Sequence, residues 1–345
     1  MSNKINLTVD QTFDLAVQNH QNNNLQDAQN YYNKVLEIDP KHLGANNNLG
    51  AIFGGLGEYQ KAKSYYEKVI VVNPGYVDAH YNLGIVFKKL GEYQKAKSYY
   101  EKAIEIKPSY VEAHYNLGIV FKKLGEYQKA KSYYEKAIEI KPSYVEAHYN
   151  LGIVFKKLGK NQKAKECYEK VIEINPNYTN AHNNLGNIFK ELGENQKAKE
   201  CYEKAIELNP NYANAHNNLG AIFQESGEYQ KAKDCFEKTI QIKPSYVEAH
   251  NNLGTVFQEL GEYQKAKSCY EKAIEINSNY ADAHGNLGTI LQELGEYQKA
   301  KDCFEKTIQI NPNHADAYSN LGAIHITLGE HQKAKSYFEK ALKIK

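Results

Sequence analysis

Seven histidines stand 34 residues apart, at His80, His114, His148, His182, His216, His250 and His284. An evenly spaced imidazole set invites a metal reading. Ligands to one zinc ion must converge to about 2.0–2.1 Å from it, whereas equivalent positions on neighbouring packed helices lie about 10 Å apart. Five cysteines keep the same interval: Cys167, Cys201, Cys235, Cys269 and Cys303. A disulfide needs Cα atoms within about 7 Å, so these thiols are expected to be reduced, partly buried space-fillers. No Cys-x-x-Cys, His-Glu-x-x-His, phosphate loop, nucleophile elbow or glycine-rich dinucleotide turn occurs. The expectation is a chain with no catalytic residue, no metal site and no cofactor. Its histidines pack structurally, and acid should loosen that packing modestly. A third ladder has binding chemistry: Asn48, Asn82, Asn116, Asn150, Asn184, Asn218, Asn252, Asn286 and Asn320. A carboxamide presents a donor and an acceptor side by side, as a peptide bond does.

One supersecondary unit copied end to end must position these ladders. Eight of the nine positions 40, 74, 108, 142, 176, 210, 244, 278 and 312 are proline, the exception being Ser278. Leu-Gly pairs such as Leu117-Gly118 keep the same beat, as do Ala130 and Gly125 with their counterparts. In the copy beginning at Val111, a helical period of apolar residues runs through Ala113, Leu117, Val120, Phe121 and Leu124. Gly125 suits a sharp turn, because positive φ costs glycine little. A second period, Ala130, Tyr134, Ala137 and Ile138, ends before Pro142, which cannot continue a helix. Gly118 and Ala130 are small enough to let the two helices cross closely. The units are expected at 9–42, 43–76, 77–110, 111–144, 145–178, 179–212, 213–246, 247–280, 281–314 and 315–345, after a tail at 1–8. One such hairpin cannot cover its apolar faces alone, so neighbours must stack into an all-α solenoid.

The pattern Leu117, Gly118, Phe121, Ala130, Tyr134, Ala137, Pro142 resembles the tetratricopeptide repeat, over nearly the whole chain. It departs by placing histidine where the family usually has tryptophan or another large apolar residue. The resemblance implies a right-handed superhelix of about ten hairpins, with first helices lining a concave side. The asparagine before Leu-Gly is similar to the array of the O-linked N-acetylglucosamine transferases, where such residues hold peptide backbones. The alternative is that each asparagine bonds only locally. The first copy is degenerate, with Ala16 and Asn23 in place of the two glycines. The last stops as its second helix ends, which leaves Phe338, Ala341 and Leu342 as an expected apolar face for self-association or a partner.

Opposite the packing stripe of the first helix, Glu112, Tyr115, Asn116, Ile119, Lys122 and Lys123 share one face. Candidate peptide-binding residues are therefore Asn82, Asn116, Asn150, Asn184, Asn218, Asn252 and Asn286, with Tyr81, Tyr115, Tyr149, Lys88, Lys122 and Lys156. A step of about 10 Å matches roughly three residues of extended chain. The stripe changes along the chain, from Tyr115/Ile119/Lys122/Lys123 to Asn251/Thr255/Gln258/Glu259. The first half should favour acidic segments with apolar anchors, and the second should tolerate basic ones. The clamp by which some family members hold acidic carboxyl termini needs basic residues in the first turns of these helices. Asp78, Glu112, Glu146 and Asn180 stand there instead.

A net charge of +2 from 43 basic and 41 acidic residues gives no nucleic-acid or membrane footprint. All the basic residues are lysine, so the forked side chain suited to phosphate and base edges is missing. No apolar run approaches a signal peptide or a membrane span, and the free thiols suit a cytoplasmic or nuclear setting. The sequons at Asn6 and Asn177 should then be silent. The expected function is a non-catalytic scaffold for other proteins, bound as extended segments. Alternatives are the substrate-targeting part of a glycosyltransferase and a structural subunit of a ciliary or cell-cycle assembly.

Overall fold

The computed structural model describes residues 7–344, and all their regular structure is helical. Ten helices occupy the first half: Val9–Gln21 (α1), Leu25–Ile38 (α2), Leu43–Gly55 (α3), Tyr59–Val72 (α4), Val77–Lys89 (α5), Tyr93–Ile106 (α6), Val111–Lys123 (α7), Tyr127–Ile140 (α8), Val145–Lys157 (α9) and Asn161–Ile174 (α10). Ten more follow: Thr179–Glu191 (α11), Asn195–Leu208 (α12), Ala213–Glu225 (α13), Tyr229–Ile242 (α14), Val247–Glu259 (α15), Tyr263–Ile276 (α16), Ala281–Glu293 (α17), Tyr297–Ile310 (α18), Ala315–Thr327 (α19) and His331–Ile344 (α20). They group into two compact units, Met1–Pro176 and Asn177–Lys345. Of the expected tail, residues 1–6 lie outside the described part. Thr8 caps α1, its hydroxyl accepting from the Gln11 N–H while the Gln11 side chain returns the bond.

Each odd helix pairs with the even helix after it, and each even helix packs on the next hairpin within its unit. Odd helices also meet each other directly, as in α3 with α5, α7 with α9, α11 with α13, and α13 with α15. Within each unit the stack therefore closes up on the odd-helix side. The turn between α7 and α8 needs the left-handed backbone: Gly125 has φ +76°. Asn23 takes φ +61° at the same place in the first hairpin, a conformation that asparagine tolerates better than other side chains do.

The hairpin core confirms the two apolar periods, with Ala113, Leu117, Val120, Ala130, Tyr134 and Ala137 all fully buried. One detail differs from the sequence expectation. The group that needs Gly118 to be bare is the Tyr134 ring, since a Cβ there would stand 2.7 Å from Tyr134 Cε1. Ala130 is buried elsewhere along the helix. Every hairpin from the second onward seats a tyrosine or phenylalanine ring on its glycine in this way, down to Phe338 over Gly322. That contact also corrects the expected C-terminal apolar face. Phe338 turns into its own hairpin and is half-buried, and Ala341 is 4% exposed. Leu342 alone of the three stands open, at 74%.

Candidate functional site

The histidine ladder is spent on the joints between hairpins. Nε2 of His80, His114, His148 and His250 lies 2.8–2.9 Å from the carbonyl oxygen of Pro74, Pro108, Pro142 and Pro244, six residues earlier. A ring nitrogen bonded to a carbonyl oxygen donates its proton. Each ring thus ties the turn to the following helix. Among the described residues, no three His, Cys, Asp or Glu side chains come together in a way that could hold a metal. Burial pushes the Cys167 thiol up to about 12, and those of Cys235, Cys269 and Cys303 up to about 11. At neutral pH they are protonated and poor nucleophiles.

The stripe on the odd helices holds most of the candidate residues half-buried, with Asn116 sunk to 8% exposure. In the first unit its members meet across pairs of hairpins. Asn116 Nδ2 donates to Tyr81 OH at 3.0 Å and to the Glu112 carbonyl at 2.9 Å, while Asn116 Oδ1 accepts from Lys88 Nζ. One step on, Asn150 Nδ2 donates to Tyr115 OH at 3.1 Å and to the Glu146 carbonyl at 2.9 Å, and Asn150 Oδ1 accepts from Lys122 Nζ. The structure so assembles Tyr81, Lys88 and Asn116 as one set and Tyr115, Lys122 and Asn150 as a second.

Tyr81 lies between Tyr100 and Tyr110, with ring centroids 5.8 and 4.9 Å away. Tyr115 repeats this with Tyr134 and Tyr144, and Tyr149 packs on Tyr168. Burial, helped by the Glu112 charge and opposed by the Asn116 bond, pushes the Tyr81 hydroxyl up to about 12. Burial lowers the Lys88 and Lys122 ammoniums, and the adjacent charges of Lys89 and Lys123 act in the same direction. Lys156 occupies the same half-buried position on α9.

Elsewhere the ladder bonds to other carboxamides. Asn82 Nδ2 reaches Asn47 Oδ1 at 3.5 Å. Asn218 Nδ2 donates to Asn183 and Asn187 at 3.1 and 3.0 Å, and Asn286 Nδ2 to Asn251 at 3.0 Å. Asn184 accepts from Asn183, and Asn252 sits half-buried at the same register. Sequence reasoning missed this lacing between repeats. Its signal was present: the acceptor lies 35 residues back, directly before the previous ladder asparagine, and is tyrosine or asparagine from Asn47 to Asn251. Gly285 interrupts that row and offers no side chain to Asn320.

Family models of the tetratricopeptide repeat match residues 15–42, 43–76, 77–110, 111–144, 145–178 and 167–200, then 212–279, 245–313 and 279–345. A further TPR repeat model matches 186–227. Among solved structures, pilF of Pseudomonas aeruginosa is 25% identical, with a TM-score of 0.53, over 56% of this chain and 88% of its own. YrrB, described as a TPR protein with an unusual peptide-binding site, is 29% identical over 52% of this chain and 93% of its own, with a TM-score of 0.44. Yeast Tom70 is 15% identical over 98% of this chain and 92% of its own, with a TM-score of 0.49. No curated protein sequence matches.

Proposed function

Because the chain belongs to the tetratricopeptide repeat family, we propose that it is a non-catalytic scaffold that binds extended segments of other proteins along the odd-helix face. The coarse part of this, a protein–protein interaction array, is what such repeats are built for. No described helix is long and apolar enough to cross a membrane. The finer part rests on one observation. A carboxamide stands at the same place on every odd helix from α3 to α19, and within each unit it lies on the side where odd helices meet.

Such a row can engage main-chain N–H and C=O groups without selecting side chains. A repeat step of about 10 Å presents one carboxamide to roughly every third residue of an extended chain. The amides already bond across the joints, so a ligand must exchange with those bonds. Exchange with neutral partners costs little net free energy, since each bond given up is replaced by one of similar kind. Tyr81, Tyr115 and Tyr149 add amphipathic area of the sort that carries interface energy.

The test is affinity capture with the full chain and with Asn116→Ala, Asn150→Ala and Asn184→Ala combined, the helical content being checked by circular dichroism. Loss of a defined subset of partners is expected. An unchanged set captured by a folded variant would remove the ladder from the reading. The same ladder leaves a second reading in play, in which the array is the substrate-targeting part of a longer glycosyltransferase. A longer gene product with a sugar-nucleotide domain would decide for it.

A further inference from the structure

The odd-helix face of the first unit carries more hydrogen-bond donors than protein acceptors. Lys88 and Lys122 are half-buried, and each reaches one neutral oxygen, Asn116 Oδ1 or Asn150 Oδ1. An ammonium has three donors. Among the described residues neither makes an ion pair, and nor do the neighbouring Lys89 and Lys123. Lysines on the even helices do: Lys95 with Glu92 and Lys129 with Glu126, both at 2.5 Å.

Beneath the same positions, the Tyr100 and Tyr134 side chains are fully buried and their hydroxyls have no hydrogen-bond partner. The second unit shows what such a hydroxyl does when acceptors are supplied. Tyr270 OH bonds Thr255 and Gln258 at 3.3 and 3.1 Å, and Tyr202 OH donates to Asn187 at 2.9 Å. The corresponding residues around Tyr100 are Ile85 and Lys88, which accept nothing.

The second unit also shows the missing partner. Lys190 holds on α11 the position that Lys88 holds on α5, and its ammonium lies 2.8 Å from a carboxylate oxygen of Glu225 on the next odd helix, α13. The residue in the place of Glu225 opposite Lys88 is Lys123. The first unit thus keeps the lysine, replaces its carboxylate by a second lysine, and leaves buried hydroxyls unmatched. The nearest acid of α7, Glu112, stands ten residues before Lys122, about 15 Å away along the helix. The helix dipole favours lysine in a last turn, but it supplies no acceptor for the orphan tyrosines.

We propose that Lys88 and Lys122, each lying over a buried and unmatched tyrosine hydroxyl, form two anion subsites one repeat apart that receive carboxylate side chains of an extended acidic segment of a partner protein. This rests on the peptide-binding reading of the odd-helix face and assigns the class of segment it takes. A carboxylate docks where Glu225 docks on Lys190, displaces the asparagine oxygen from the lysine, and frees that carboxamide for the ligand backbone. At about 10 Å per repeat and roughly 3.3 Å per extended residue, the acidic residues sit about three apart.

The experiment measures fluorescence anisotropy of the full chain with two end-blocked peptides in a serine–alanine background. One carries glutamates three residues apart and the other has glutamine in their places. The glutamate peptide should bind about tenfold tighter or more at low salt, with the preference shrinking as salt rises. Lys88→Gln and Lys122→Gln should each cut that preference about three- to tenfold. Lys123→Glu should cut it as far as Lys88→Gln does, by giving Lys88 a carboxylate from within, while Lys95→Gln leaves it intact. Equal binding of the two peptides overturns the anion subsites and leaves the backbone-gripping face standing. So does a preference that survives the double lysine variant. Binding of neither peptide overturns both.

Discussion

The odd-helix faces of the two units use one frame for opposite chemistry. From α5 to α9 the stripe reads Tyr, Asn, Ile, Lys, Lys, as in Tyr115, Asn116, Ile119, Lys122 and Lys123. From α13 to α17 it reads Asn or Gly, Asn, Ala or Thr, Gln, Glu, as in Asn251, Asn252, Thr255, Gln258 and Glu259. The ladder asparagine, the Leu-Gly pair and the ring seated on the glycine are common to both. What differs is whether the polar groups around the asparagine satisfy one another. In the second unit, carboxamides and hydroxyls close most of the donor–acceptor pairs internally. In the first, lysines and tyrosines leave donors in surplus. Stability is held by the shared part of the repeat, and ligand choice by the variable part.

Five substitutions and the binding experiments above press on that comparison. The largest effect belongs to the shared frame. Gly118→Ala in the first unit and Gly220→Ala in the second each force a Cβ to within 2.8 Å of a buried ring. Each should destabilise its hairpin by about 1–3 kcal/mol, read as earlier urea unfolding with local loss of amide protection. A clear inequality between the two would mean that the units do not share one frame.

The hydroxyls should then separate the units by sign. Tyr202→Phe removes a bond to Asn187 and should cost about 1 kcal/mol. Tyr134→Phe removes an unmatched buried hydroxyl and should be neutral or stabilising by about 1 kcal/mol. Phe236 and Phe304 already occupy this position in two hairpins of the second unit. Equal losses from both changes would show that Tyr134 OH has a partner.

The smallest effect concerns the joint at Ser278. His284 Nε2 lies 3.0 Å from the Ser278 carbonyl oxygen, as His148 does at 2.9 Å from Pro142, so the turn forms without proline. Ser278→Pro should stabilise by about 0.4–1 kcal/mol through the unfolded chain. Before that change, amide exchange around Asn277 and Asn279 should outpace that around Lys141 and Ser143. Equal protection at the two joints would remove proline as the cause.

Much of this fold was legible because its determinants are local. The breaks at Gly125 and Pro142 and the apolar periods of α7 and α8 all act within a few residues. The lacing of Asn116 to Tyr81 was not legible in the same way. The two partners lie 35 residues apart, and only stacking brings them together. The role of Gly118 was half legible. A small residue at a crossing follows from its type, but the Tyr134 ring as occupant of the space depends on the rotamer that packing selects. The C-terminal apolar face was met at Leu342 alone, for a related reason. Helical period alone does not say whether Phe338 and Ala341 turn towards their own hairpin or away from it.

From the second hairpin onward the aromatic ring of the second helix rests on a glycine of its own hairpin, and the joints between hairpins reuse the same residue types. Copies 77–110 and 111–144 differ only at Asp78 and Glu112. Unequal recombination that inserts or deletes one 34-residue stretch therefore leaves every surviving knob in its socket. The gene can lengthen or shorten by whole paragraphs without any word being respelled, and successive generations can explore how far the protein reaches while what it recognises is edited separately.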